Sequence, residues 1–578
     1  MIKMSALTAF VLAATVFSGC GTDSSSAAMS KISFEEAPIP TTDAQKRSIL
    51  ASSKVTINGK GYDIGYNTII RSGQVAGGGT YGLIYDKDGK PIISKDGSQK
   101  ISNSNDFASL LPYGDKLFMI SHFENRPAAM YVTELNQDKN TGKLTPKWTR
   151  NIDFTAFNGL WVPCAGSVTP WGTHLGSEEY PPDASTVKAN GSIDSYYDPM
   201  AAYVGGDLKA LNPYDYGWVP ELKITSANGD VDVKKHYTLG RFAHELAYVM
   251  PDSKTVYLSD DGTDVVFYKF IADKAKDLSA GTLYAAKWSQ TSSANGGSAD
   301  ISWVDLGHAT DAEIKTALDK KYVFGDIFST ASRTASNACP TGFLASNWGG
   351  KNECLQIKSG MEKIASRLES GRVAGMKGAT TEFAKMEGIT YNPQNHEAYL
   401  VISRVEKGME DNHKQGKAET KYDKGGKNDI RLPWNRCGTV FAMKLDGYNV
   451  TKMSALVSGV PMDKDAAGNT CTLDGISMPD NITFIPNADT LIIGEDTSYH
   501  QNDMIWAYNL SDKKLTRIQT TPYGSETTSP YYYPNINGFG YLMSVVQHPY
   551  GESDRDKLQN PDEAKAYTGY IGPFPVIK

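Results

Sequence analysis

An all-β chain, built from one hairpin repeated around a common axis, is what this sequence predicts, and three observations predict it. Six times a proline, a short polar turn and an apolar strand follow in that order: Pro112 before LFMIS, Pro170 before HLGSEE, Pro251 before VYLSDD, Pro393 before AYLVIS, Pro486 before LIIGED and Pro534 before YLMSVVQ. Six residues ahead of each proline stand Asp106, Cys164, Glu245, Glu387, Asp480 and Thr528. Five of these six are carboxylates or a thiol, in a chain with 21% charged residues, so chance does not account for the phase. A repeat with a fixed polar position is what a radial architecture gives when each unit sends one side chain to a shared axis. The third observation is composition: 32 Tyr, 54 Gly and 10% aromatics suit strands and turns better than helices.

Residues 1–20 read as a lipoprotein signal peptide. Lys3 is the only charge before the apolar run Ala6–Phe17, which leads into FSGC and a lipidated Cys20. Residues 21–35 read as a flexible tether, with Ser and Ala concentrated in Thr22–Ser30. Gly21 in place of Asp after the lipidated cysteine leans toward the outer membrane. The expected location is the bacterial cell envelope, on the periplasmic or outer-membrane face, held by the lipid alone. No other stretch reaches the roughly 18 apolar residues a membrane helix needs. A prior of about 150 residues per domain would divide the chain, but repeats from Pro112 to Pro534 argue for one unit over residues 36–578. The net charge of −7 and the lack of a basic stripe exclude nucleic acid as a partner. A monomer is expected.

Taken in order, Ser30–Asn105 reads as strands and turns, with a hairpin at Asp88-Gly89. Pro112–Leu135 is the first clear repeat, and Lys143–Ala165 leads into the second. Pro181–His236 is rich in Tyr, Pro and Gly and reads as loops. Gly240–Asp264 reads as a hairpin whose turn is Pro251-Asp252-Ser253. Ser289–Ser302 is expected as a loop, Thr310–Lys320 and Met361–Glu369 as helices, and Glu410–Lys427 as a solvated loop. Strands return from Val440. Export implies an oxidising compartment. With Cys20 and Cys164 set aside, Cys339, Cys354, Cys437 and Cys471 allow three connectivities. Cys339–Cys354 is the local choice, and the alternative is a bridge through Cys164.

The candidate chemistry sits at the hairpin ends. Cys164, Glu245, Glu387 and Asp480 form the first tier, a thiol with three carboxylates that suits a transition metal such as iron. Glu178, Glu179, Asp260, Asp261, Asp264, Glu495 and Asp496 form a second tier suited to calcium. Converging acids repel once ionised, so cations must neutralise them. Asp106 and Thr528 read as structural, and His244 as either a proton-handling group or the donor to a buried carbonyl. No phosphate-cradling glycine loop, GxSxG elbow or HExxH helix is present.

The stretches NGLWVPCAGSVTPWGTHLGSEEY, LGRFAHELAYVMPDSKTVYLSDDGTDVVFYKF, MEGITYNPQNHEAYLVISR, SMPDNITFIPNADTLIIGED and SVVQHPYGES resemble the PhoX-type alkaline phosphatases from about Gly159 to Glu552. The resemblance implies a six-bladed β-propeller with long loop and helical insertions. It implies a channel that holds two iron ions and calcium ions and hydrolyses phosphate monoesters. Cys164, Glu245, Glu387 and Asp480 would bind iron; Glu179, Asp261 and Asp264 would serve calcium. Lys385 and Arg241 would add positive charge at the reacting phosphate, with His244 beside them. Three residues or segments depart from the family. A twin-arginine leader is replaced by a single Lys3, so metals would load outside the cytoplasm. Lys385 stands where arginine is usual, a point charge without the bidentate fork. Asp260 stands where glutamate is frequent. Two other readings compete: a calcium-stabilised propeller that binds a partner without chemistry, and a phosphodiesterase or phytase-like activity at the same site.

Overall fold

The computed structural model describes residues 30–188, 190–419 and 427–577. Cys20, the signal peptide and residues 21–29 of the tether lie outside the described residues. The rest is predominantly β, arranged in antiparallel units of four strands. The first unit runs Asn105–Tyr113, Lys116–Phe123, Ala129–Gln137, Leu144–Asn151. The second is Ser167–Val168, His174–Leu175, Val219–Ile224, Val231–His236. The third is His244–Val249, Thr255–Asp260, Tyr268–Lys274, Asp277–Ser292, and the fourth is Met386–Asn392, Glu397–Ile402, Thr439–Asp446, Asn449–Ser458. A further strand, Ser298–Thr310, pairs with Asp277–Ser292 on one side and Asn449–Ser458 on the other, fusing these two into a nine-stranded sheet. The fifth unit is Pro479–Ile485, Thr490–Glu495, Met504–Asn509, Leu515–Thr520, with the two-residue strand Leu50–Ala51 added on the edge of the last. The sixth has Glu526–Ile536, Phe539–Gln547 and Tyr567–Pro575, and takes its fourth strand, Tyr66–Arg71, from near the start of the chain. The two ends of the chain are therefore tied by a strand ladder.

Each of the six prolines lies at or just before the turn of the first hairpin of its unit. Proline pre-sets φ and donates no ladder hydrogen bond, so a turn or strand end is where it is tolerated. Successive units are joined by side-chain hydrogen bonds between their leading strands, except at the first link, where His174 lies on the second strand of its unit. Ser109 meets His174, Ser167 donates to Ala247 O, Tyr248 meets Thr390, and Thr390 accepts from Phe484 N. Asn481 accepts from Ser529 N, and Thr528 donates to Asp106 O. Between the third and fourth units, Leu246, Met250, Tyr257, Trp288, Met386 and Phe441 share one buried cluster.

Several expectations need correction. Ile32–Phe34 is no tether: it pairs with Lys54–Ile57. Ser289–Ser302 is not a loop, because its Ser and Gly residues confine the turn to Ala294–Gly296 while strands run up to both sides of it. Pro181–His236 does contain irregular 3₁₀ turns, but it ends in two strands that complete the second unit. The helix Asp311–Asp319 carries a Thr310–Glu313 capping box, and Glu362–Leu368 is helical as expected. Glu410–Lys427 holds a short hairpin, His413–Lys414 with Lys417–Ala418, and residues 420–426 lie outside the described residues. The disulfides are Cys339–Cys354 and Cys437–Cys471, and Cys164 is a free thiol.

Candidate metal centre and active site

The fixed phase of the site residues has a backbone cause. In five leading strands the ladder slips where the candidate residue sits: between Asn105 and Ala108, His244 and Leu246, Met386 and Ile389, Pro479 and Ile482, and Thr528 and Tyr531. A β-bulge puts extra residues on one strand and re-aims a side chain that would otherwise follow the pleat. Asp106, Glu245, Glu387 and Asp480 are all bulge residues. Gly388 is required here, since a Cβ on it would lie 2.7 Å from Ile482 N and 2.9 Å from Asp480 O on the neighbouring strand.

These side chains converge into three linked groups: Asp106 with Glu124 and Cys164, Cys164 with Glu179 and Glu245, and Glu245 with Glu387 and Asp480. Within each group the ligand atoms lie within 4.8 Å of one another. Cys164 and Glu245 each belong to two groups, so the set forms one continuous pocket. Lys385 is a cation within it, with Nζ 2.5 Å from Asp261 and 3.2 Å from Glu387 Oε1. Tyr180 donates its hydroxyl to Asp261, and Ser403 donates to Glu387 at 2.9 Å. Asn481 Nδ2 lies 3.0 Å from Asp480 and 3.4 Å from Glu245. Tyr180 and Lys385 both hold positive φ, at 43° and 50°, and a non-glycine residue kept there marks stored strain of the kind found at functional sites. A cleft of about 450 Å³, lined by Trp161, Tyr180, Pro181, Pro182 and Tyr196, opens beside Tyr180.

The electrostatics follow from burial and crowding. Burial first, then the charges of Glu387, Asp480 and Asp106, push Glu245 far above the usual carboxylate range. Burial and Glu387 do the same to Asp480, and burial and Asp261 to Glu179. Glu387 is pushed up to about 7 by burial and Asp261, against the pull of Lys385. The Cys164 thiol is raised by burial and by Asp106, Glu245 and Glu179. Asp261 alone is lowered: burial opposes this, but Lys385 and its hydrogen bonds outweigh burial. Asp106 Oδ1 and Asp261 Oδ1 are buried without a hydrogen-bond partner. Crowded acids with orphaned oxygens and one thiol are a donor set that fits hard and borderline cations.

The neighbouring acidic pairs Glu178-Glu179, Asp260-Asp261 and Glu495-Asp496 split. The second member of each pair serves the centre: Asp260 and Glu495 are the last residues of their strands and Asp261 and Asp496 follow them, while Glu178 and Glu179 lie beyond His174–Leu175. Asp496 is charge-coupled to Glu387, Asp480 and Glu526, whose pKa values burial and then neighbouring acids raise. The first members are elsewhere. Glu178 accepts from Lys235 Nζ at 2.7 Å and from the amides of Trp161, Gly217 and Trp218. Glu495 accepts from the amides of Ser477 and Met504, Trp506 Nε1 and His500. With both oxygens engaged, neither carboxylate has the free lone pairs a ligand needs, which corrects the expectation for Glu178 and Glu495. Asp260 and Asp264 do not join the three groups; Asp260 is buried, and Asp264 faces Gly350 and Gly408.

Arg241 is also corrected, and of the two readings of His244 the donor to a buried carbonyl is the one observed. The Arg241 guanidinium is buried and donates to the carbonyls of Tyr216 at 2.7 Å, Pro213 at 3.0 Å and Pro182. It braces the Pro181–Tyr216 segment and has no fork left for phosphate. His244 donates Nε2–H to Gly240 O at 2.9 Å, and burial lowers its pKa to about 3. It is a neutral packing residue. Asp106, read as structural, is in the pocket instead, while Thr528 serves the backbone of Asp106 as expected. Sequence reasoning missed Glu124, which directly follows the second strand of the first unit. The signal was available, because Asp261 and Asp496 also directly follow the second strands of their units, and Glu179 stands four residues beyond its own.

A sequence model of the family described as alkaline phosphatase PhoX matches residues 123–549. No curated protein matches the chain. Among solved structures, PhoX of Pseudomonas fluorescens, in complex with vanadate as a transition-state analogue, superposes with a TM-score of 0.60 at 16% identity, covering 94% of this chain and 98% of that one. Likeness to a 6-phosphogluconolactonase-type structure from Bacteroides uniformis, at TM-score 0.30 and 10% identity over 88% of this chain and 97% of that one, is too slight to carry an argument. The periplasmic gluconolactonase of Pseudomonas aeruginosa is similar only to the same degree, at TM-score 0.29 and 11% identity over 80% of this chain and 97% of that one. The family match spans well over half of the sequence and encloses every residue of the three acidic groups but Asp106, so this chain belongs to the alkaline phosphatase PhoX family.

Proposed function

We propose that the six four-stranded units are the blades of a β-propeller and that the acidic pocket on its axis is a metal-dependent centre hydrolysing phosphate monoesters. The succession of side-chain hydrogen bonds from one unit to the next, returning from the sixth to the first, supports the closed ring. The observation that carries the function is the three linked groups sharing Cys164 and Glu245. Cys164, Glu245, Glu387 and Asp480 would hold iron; Glu179, Asp261, Asp106, Glu124 and Asp496 would serve calcium. When bound, such cations supply Lewis acidity and neutralise charge at a phosphoryl oxygen.

The chain's own groups do the rest. Lys385 keeps a protonated ammonium: burial opposes it, but Asp261 and Glu387 hold its pKa well above the usual range. It offers a fixed positive charge to the equatorial oxygens as negative charge spreads over them. Ser403 and Asn481 orient Glu387, Asp480 and Glu245, so the pocket is set before substrate arrives. Tyr180 orients Asp261 and walls off the cleft.

The test is hydrolysis of p-nitrophenyl phosphate at alkaline pH by protein from the native envelope, before and after chelation, with elemental analysis of the same sample. Turnover lost on chelation and regained with iron and calcium is expected. Metal-loaded protein that turns over neither a phosphate monoester nor a diester would end this reading, and calcium without iron would favour a non-catalytic propeller. Lipid attachment at Cys20 belongs to the same proposal; absence of palmitate label from cells expressing the wild-type chain would remove it.

A further inference from the structure

Cys164 differs from the four central acids in lying outside any strand. Asp106, Glu245, Glu387 and Asp480 are bulge residues inside strands, with laddered residues on both sides of each bulge. Cys164 lies three residues ahead of the two-residue strand Ser167–Val168 and has no ladder partner. Its carbonyl is satisfied by a side chain instead, as buried backbone groups require. His122 Nδ1 lies 2.6 Å from Cys164 O, and since a carbonyl only accepts, His122 must donate there. Its Nε2 is then a bare acceptor. His174 Nε2, 2.6 Å away, must be the donor to it, which leaves His174 Nδ1 to accept from the Ser109 hydroxyl at 2.8 Å. One tautomer of each ring satisfies the whole chain.

Both rings are fully buried, and the Phe107 ring lies against them at 5.6 and 5.5 Å. Phe107 follows Asp106 in the bulge of the first unit, so one packed cluster touches the backbone on either side of the Asp106–Glu124–Cys164 group. Resting on the metal-centre reading above, we propose that His122 and His174 are positioning residues that set the Cys164 thiol for metal. The one-directional chain from Ser109 through two neutral imidazoles fixes the Cys164 peptide plane, and with it the direction of the Cα–Cβ bond. Partners that orient a ligand in this way typically change metal affinity by about 10- to 100-fold when removed.

The experiment measures metal affinity, not turnover. Wild type, His174→Leu, His174→Gln and Ser109→Ala are equilibrated against graded iron and calcium, and bound metal is read by elemental analysis. The rate at which a thiol reagent modifies Cys164 and the melting temperature are measured on the chelated forms. His174→Leu cannot donate to His122, and iron affinity is expected to fall by at least about tenfold, with faster thiol modification. His174→Gln keeps an amide donor near the Nε2 position and is expected to recover most of the affinity. Ser109→Ala, which loosens the tautomer without removing either ring, is expected to weaken iron by a few-fold and decides the matter if His174→Leu fails to fold. Wild-type affinity in His174→Leu or Ser109→Ala, or equal losses in the Leu and Gln variants, would overturn the proposal while leaving the metal centre standing. Wild-type protein that binds no metal would overturn both.

Discussion

Glu387→Gln separates a convergent metal pocket from a merely acidic one, because it should act in opposite directions with and without metal. Glu387 lies within 4.8 Å of Glu245 and Asp480, and its pKa is pushed up to about 7 from 4.5 by burial and Asp261, against Lys385. A raised carboxylate means that the folded state disfavours the ionised form. The penalty is absent below about pH 4.5, develops between 4.5 and 7, and is complete above 7. A shift of that size corresponds to about 3 kcal/mol at 1.36 kcal/mol per unit. Gln keeps the shape and can still accept from Ser403, but carries no charge. In chelated protein at pH 9 the variant should therefore be more stable than wild type. For a chain this long, unfolding entropy on the order of 1 kcal/mol per kelvin makes 3 kcal/mol worth about 3 °C in melting temperature. At pH 5 the two chelated proteins should melt together. In the metal-loaded state the order should reverse, with turnover of p-nitrophenyl phosphate down by 100-fold or more, about 2.7 kcal/mol of lost transition-state stabilisation. Thermal melts at both pH values, with and without chelator, supply the four comparisons. A chelated variant at pH 9 that melts at or below wild type would show that Glu387 is not held among like charges, and the reasoning would fail.

Cys164→Ser should lose iron while retaining calcium, since it removes the one soft donor and leaves the carboxylates in place; equal loss of both metals would contradict it. His236 is buried between Glu221 and Asp311; burial lowers its pKa, but hydrogen bonds to both acids outweigh this and raise it to about 9. The stability it contributes is full below about pH 6.5 and is lost as pH rises through 9, about 3 kcal/mol in all. Wild type should therefore lose its melting-temperature advantage over His236→Gln across that window, and a constant difference from pH 6 to 10 would refute the assignment. Lys235→Met strands the fully buried Glu178 carboxylate and should cost about 3–5 kcal/mol. Turnover per folded molecule should stay within a few-fold, because Glu178 is an anchor; selective loss of metal in this variant would restore it as a ligand.

The sequence by itself determined where the hairpins turn and at what phase the central residues stand. Proline, asparagine, aspartate and glycine fix turn geometry locally, and a turn fixes the offset of everything on its two strands. That is why Cys164, Glu245, Glu387 and Asp480 could be named from spacing and are found in linked groups. Adjacent acids could not be told apart in the same way. Glu178 and Glu179 are neighbours in the irregular stretch after His174–Leu175, and which of them looks inward depends on long-range packing. Only the tertiary structure supplied the amides and Lys235 that claim Glu178, the Trp506 and His500 donors that claim Glu495, and the carbonyls that claim Arg241. It also supplied the bulges that aim the ligands and brought Tyr66–Arg71 across the chain to complete the last unit. Those are long-range pairings, and no local pattern of side chains encodes which distant backbone will meet them.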